Sequence, residues 1–155
     1  MAANADSPAP PADRALVITR LFDAPRPLIF KAWTDPEFLV RWWGPHGFRA
    51  RVLQLDLRVG GGWRISMRSP AGTEEWQQGI YREIVAPERM VFSYAFTDAA
   101  GTPGHQTVVT VNFADEAAKT RVTVHQAVFE SVAVCDDHVR GWGETLERLA
   151  ACLTP

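Results

Sequence analysis

The stretch SVAVCDDHVRGWGETLERLAACL, residues 131–153, decides the fold. Its apolar residues Cys135, Val139, Trp142, Leu146, Leu149 and Leu153 recur at intervals of four and three, the spacing that lines one face of an α-helix. Ser131 is placed to cap the first turn, Asp136 and Asp137 follow where the helix dipole favours negative charge, and Arg148 lies toward the other end. A long helix with one apolar stripe needs a broad apolar surface to cover.

The preceding sequence supplies one. Beyond Gly47 the period switches to two, with Leu53, Leu55, Leu57 and Val59 expected on one face of a second strand, and Gly60–Gly62 as a hairpin turn. Trp63, Ile65 and Met67 alternate with Arg64, Ser66 and Arg68 in a third strand, and Trp76–Ile84 is the fourth. Met90, Phe92, Tyr94 and Phe96 share one face of the fifth, with Val91, Ser93 and Ala95 behind, and alternation alone leaves open which face is inside. Thr107–Phe113 and Thr120–Phe129 complete the run. Antiparallel strands in succession build a twisted sheet with one apolar face, so the class is α+β.

Working toward the N-terminus, Leu16–Phe22 reads as the first strand. Asp23 or Ala24 with Pro25 starts a short helix carrying Leu28, Ile29, Ala32 and Trp33, and Asp35-Pro36 starts a second over Glu37–Trp43 that stops at Gly44-Pro45. Residues 1–13, rich in proline and alanine, read as a floppy leader ahead of a single domain over 14–155.

With 155 residues the chain has the length of one domain. Sixteen basic against eighteen acidic residues leave a net charge of −2, which gives no electrostatic reason to bind nucleic acid. There is no signal-peptide core and no apolar run long enough to span a bilayer, so membrane insertion is not expected and cytoplasmic residence is. Cys135 and Cys152 lie about 25 Å apart along one helix, too far to bridge.

The segments Arg20–Pro25, Ala32–Pro36, Arg41–Pro45, Leu57–Trp63, Pro87–Phe92 and Gly141–Leu149 resemble the family named after the activator of the heat-shock protein 90 ATPase, within the SRPBCC superfamily. The likeness runs from about Ala15 to Leu153, and the pairing of Asp35-Pro36 with Arg41-Trp42-Trp43-Gly44-Pro45 and a late Gly141-Trp142 makes it specific. It implies a helix-grip fold, in which a curved seven-stranded antiparallel sheet wraps around the C-terminal helix. A mostly apolar cavity is then expected between them, closed by the two short helices. Members of the superfamily include lipid and hormone carriers, polyketide cyclases and the chaperone activator, so the resemblance implies a cavity more than a reaction.

Six tryptophans and eight phenylalanines exceed what packing needs. Trp33, Trp43, Trp63, Trp76, Phe92, Tyr94 and Trp142 are read at inward positions, where aromatic walls would bind a flat apolar ligand and indole N–H groups would orient it. With Phe48, and with His125 and His138 as polar groups projecting toward the ligand, they form the candidate binding set; core packing is the alternative for every one. Trp142 and its flanking glycines, Gly141 and Gly143, are expected to bring helix and sheet close.

Other chemistry finds less support. The four histidines have no partner at helical or strand spacing, so neither a metal nor another cofactor is expected. Cys135 and His138 are three apart on the helix, but Cys135 falls on its apolar stripe, and Glu74-Glu75 and Asp136-Asp137 are neighbours whose side chains diverge. The triple glycine precedes a strand rather than a helix and is no phosphate loop. The leading reading is a binder, monomeric or homodimeric, of a small apolar or aromatic molecule; the alternatives are an enzyme of polyketide-cyclase type in the same cavity, and partner binding like that of the chaperone activator.

Overall fold

The computed structural model describes residues 11–153. Residues 1–10 of the expected leader lie outside the described residues, and Pro11–Arg14 forms a short 3-10 helix ahead of the first strand. Next come β1 (Leu16–Phe22), α1 (Arg26–Thr34), α2 (Pro36–Leu39), β2 (Arg49–Leu55), β3 (Gly62–Arg68), β4 (Glu74–Val85), β5 (Arg89–Thr97), β6 (Thr107–Glu116), β7 (Lys119–Ala127) and α3 (Val132–Leu153). The strands form one antiparallel seven-stranded sheet in the order β1-β7-β6-β5-β4-β3-β2. Register shifts at Val52/Gln54 and Tyr81/Glu83 bend β2 and β4, and the sheet curves around α3.

The helix boundaries follow local chemistry. Ser131 Oγ accepts from Val134 N at 3.1 Å and caps α3, whose buried stripe includes Cys135, Trp142, Leu146 and Leu149. Because the helix begins at Val132, Asp136 and Asp137 stand in its second turn, not its first. Asp35 caps α2 by accepting from Glu37 N at 3.0 Å; the helix proper stops at Leu39, and turn hydrogen bonds carry the chain on through Trp43. Pro25, not Asp23 or Ala24, is the residue before α1.

The second strand departs from its expected phase. It ends at Leu55, and the bulge between Val52 and Gln54 turns Leu53 outward, so Ala50, Val52 and Leu55 pack against the core while Val59 is 61% exposed and Leu57 41%. Apolar residues in the turn prolonged the alternation beyond the strand. The triple glycine lies in the hairpin connection from β2 to β3, with Gly62 opening β3. Gly60 N donates to the Tyr81 carbonyl and the Gly61 carbonyl accepts from Tyr81 N, and a Cβ on Gly61 would sit 2.0 Å from the Asp56 carbonyl oxygen, so only glycine fits there.

On β5 the face carrying Met90, Phe92 and Tyr94 is the inner one. The core runs from α1 across the sheet to α3 as a chain of rings. Trp33 packs edge-on to Trp42 and Phe113 and lies nearly parallel to Trp142 at 5.8 Å, while Trp63 bridges Trp43 and Phe92. Each such pair adds about 0.5–1.5 kcal/mol beyond its buried area.

Candidate functional site

Between α3, the inner face of β3 to β5 and the turn after α2 lies a cavity of about 420 Å³, within the range that holds small-molecule ligands. Trp43, Phe48, Met67, Phe96, Val134 and Trp142 form its apolar wall, and Glu75, Gln77, Tyr94, Glu130, Asp137, His138 and Thr145 its polar points.

Trp43 reaches the cavity because the turn after α2 reverses at Gly44, where φ is +100°. A Cβ there would also press on Met67 Sδ at 3.0 Å and Phe48 Cβ at 3.1 Å. This turn is clasped to α3. Arg148 donates to the carbonyls of Trp43, Gly44 and Pro45 at 2.9–3.1 Å. His46 adds two contacts: its backbone N–H donates to Glu144, and its ring Nε2 pairs with Glu147 at 2.8 Å. Five charge-assisted or polar links thus hold one cavity wall against the opposite one.

Two buried glutamines fix the pocket tryptophans. Trp43 Nε1 donates to Gln77 Oε1 at 2.8 Å, and Gln77 Nε2 donates to the Tyr94 hydroxyl at 2.7 Å. The Tyr94 hydroxyl lies 3.3 Å from His138 Nε2, and His138 Nδ1 lies 2.9 Å from the Val134 carbonyl. A carbonyl can only accept, so Nδ1 carries the proton; in that tautomer of the imidazole Nε2 is the acceptor and Tyr94 donates to it. The second relay runs from Trp142 Nε1 to Gln126 Oε1 at 2.8 Å, from Gln126 Nε2 to Thr107 Oγ1 at 2.8 Å, and from Thr107 to the Tyr94 carbonyl. The indole N–H groups expected to orient a ligand are therefore held by the protein itself.

Electrostatics follow burial. The Tyr94 hydroxyl is pushed well above its ordinary pKa, first by desolvation, then against a lowering by Gln77 and with a further rise from the charge of Glu75. It stays a neutral phenol. Cys135 is raised by burial and by Asp136, which makes it a small core residue rather than a thiolate beside His138. The His138 ring packs instead on Phe129 at 4.7 Å, with Tyr94 and Phe96 on its other contacts. Among the described residues no three His, Cys, Asp or Glu side chains gather as a metal site, and no helix is long and apolar enough to cross a membrane.

Of the ten residues singled out in the sequence, Trp43, Phe48, Tyr94, His138 and Trp142 line this cavity. Trp33, Trp63 and Phe92 lie behind it, around a packing void of about 20 Å³ that has room for a single water at most. Trp76 and His125 are placed elsewhere. Trp76 stands half-buried on the outer face of β4, opposite Ser66 and Thr97, and His125 is exposed on the outer face of β7 between the buried Val124 and Gln126. The expectation that His125 projects inward is thereby corrected, since strand alternation gives that phase to its neighbours. Gln77, Gln126, Glu75 and Thr145 were missed, although Gln126 continues the apolar phase of Val122 and Val124 and was legible from it.

The helix glycines do not bring helix and sheet together. A Cβ on Gly141 would come no nearer than 3.9 Å to Pro45, and one on Gly143 no nearer than 4.0 Å to Arg20.

The same fold recurs in solved structures. A Chromobacterium violaceum protein aligns with a TM-score of 0.83 at 29% identity, over 92% of this chain and 98% of its own. A protein from Arthrobacter aurescens gives 0.84 at 28% identity, over 94% and 89%, and one from Mycobacterium smegmatis 0.83 at 26%, over 96% of each chain. The family model described as Activator of Hsp90 ATPase homolog 1-like protein matches residues 23–154. No protein of curated function matches.

Proposed function

The chain belongs to the family of Activator of Hsp90 ATPase homolog 1-like proteins, and from that premise we propose that it binds a small apolar or aromatic molecule in the cavity between its sheet and α3. The observation that carries this reading is a void of about 420 Å³ whose tryptophans are immobilised by buried glutamines. Collapse onto the void would break these hydrogen bonds, at roughly 1–3 kcal/mol for each buried group left unpaired. The site is thus preorganised, and a ligand gains from area burial without ordering its walls.

The test is thermal unfolding with neutral fused-ring alcohols. At 100 times its dissociation constant a ligand adds about 2.7 kcal/mol, which for a chain of this size raises Tm by roughly 5–10 °C. Val134→Trp, which fills the void from α3, removes the rise. No rise with any probe at millimolar concentration overturns the reading.

A second reading, chemistry on the bound molecule, has one observation in its favour: the Tyr94 hydroxyl and His138 Nε2, an acid and a base 3.3 Å apart, both at the cavity wall. Chromatography with fragment-ion mass spectrometry of the recovered molecule separates the two, because only a compound unchanged in both retention and fragmentation means binding alone.

A further inference from the structure

The polar points of the cavity divide unevenly between donors and acceptors. Trp43 and Trp142 direct their N–H groups to Gln77 and Gln126. Tyr94 donates to His138, His138 donates to the Val134 carbonyl, and Thr145 Oγ1 donates to the Gly141 carbonyl at 2.7 Å. Gln77 uses one amide hydrogen on Tyr94, so its second is the one side-chain donor in the lining without a partner named above. The lining contains no lysine or arginine. Two guanidinium groups that touch lining residues are already engaged, Arg148 on the carbonyls of Trp43, Gly44 and Pro45 and Arg140 on Asp137.

Acceptors are plentiful by contrast. The Tyr94 oxygen, which accepts from Gln77 alone, and the Thr145 oxygen keep lone-pair capacity. Glu75, Glu130 and Asp137 add three carboxylates. Among the described residues neither Glu75 nor Glu130 takes part in an ion pair. Glu75 is half-buried and lies two positions from Gln77 on the same face of β4, so it meets the bound molecule beside the inner aromatic wall rather than in bulk solvent.

We propose that the cavity selects an apolar molecule bearing a hydrogen-bond donor, an amine above all, whose donor end is received by Glu75 and the Tyr94 oxygen, and that it discriminates against carboxylates. This rests on the cavity being a binding site. The physical cause is that a carboxylate needs donors which the wall has already engaged, and it meets the unpaired charge of the half-buried Glu75, with the exposed Glu130 at the rim and Asp137 compensated by Arg140. An ammonium finds acceptors, negative charge and the faces of Trp43, Trp142 and Phe96.

The experiment uses three probes with one fused-ring body: naphthylethylamine, naphthylethanol and naphthylacetate, titrated calorimetrically near neutral pH. The expected order is amine, then alcohol, then carboxylate, with at least about a tenfold difference in dissociation constant between the first and last. Glu75→Gln, checked for a native circular dichroism spectrum, narrows that ratio by about tenfold, because it removes the charge and introduces a donor. Glu83→Gln, a charge change at the surface pair with Arg89, leaves the ratio alone. If all three probes bind alike, or the carboxylate binds tightest, donor selection is overturned while the binding site stands. If none binds, both readings fall.

Discussion

Trp142 of α3 donates its indole N–H to Gln126 Oε1 of β7 across 2.8 Å, with both side chains buried. This bond ties the helix to the sheet at the back of the cavity, and the indole also lies nearly parallel to Trp33 and edge-on to Trp43. Trp142 is thus a structural anchor as well as a wall.

Trp142→Phe keeps most of the ring packing but leaves Gln126 Oε1 buried without its donor. We expect a loss of about 1–3 kcal/mol in urea denaturation. Adding Gln126→Met to that background restores part of it by removing the orphaned acceptor, although Thr107 then loses its own donor. Equal and additive losses for the two substitutions would show that the bond contributes nothing. Trp142→Ala is a poorer probe, since it costs about 3–5 kcal/mol in packing and confounds ligand binding with stability.

The protein has two tyrosines, Tyr81 and Tyr94, and burial raises the pKa of both above the ordinary value. Each is about 10 in the unfolded chain, so above that pH the native state holds protons the unfolded state has lost. The stabilisation from these groups is complete below about pH 10 and declines as pH rises toward the native values. Absorbance at the tyrosinate band should stay flat through pH 10 and rise together with loss of the circular dichroism signal. A reversible rise centred near pH 10 with the fold intact would contradict the burial of both hydroxyls.

Gly143 stands inside α3 with nothing closer than Arg20 at 4.0 Å from an added Cβ. Replacement by alanine should therefore stabilise the protein by about 0.5–1 kcal/mol through helix propensity, raising Tm by roughly 1–4 °C. Gly141→Ala should give a similar gain, but it places a methyl group at the cavity edge and should weaken probe binding. Destabilisation by both would mean that α3 needs the flexibility of its glycines.

The sheet, its strand sequence and the covering helix were legible because each rests on local periodicity repeated over many residues. The stripe from Cys135 to Leu149 and the alternation of Trp63, Ile65 and Met67 needed no distant contact to be read. The site was less legible, and in one consistent way. On β4 and β7 the conspicuous residue, Trp76 or His125, faces outward, and the glutamine after it points in. On β4 the outer face carries Trp76 and Ile80 while Gln77 and Gly79 lie on the other, so apolar pattern could not reveal the phase.

The sequence by itself determined the order of elements, the α+β class and the apolar faces that must meet, since these follow from spacing along the chain. Only the tertiary structure decided that Gln77 and Gln126 capture the cavity tryptophans, that Leu57 and Val59 stay at the surface, and that the cavity wall is poor in free donors. Those facts are hydrogen bonds between residues 16 to 44 positions apart and one bulge that inverts a strand's phase. Such partnerships depend on which side chains the curved sheet brings within hydrogen-bonding reach, and spacing along the chain does not encode that distance.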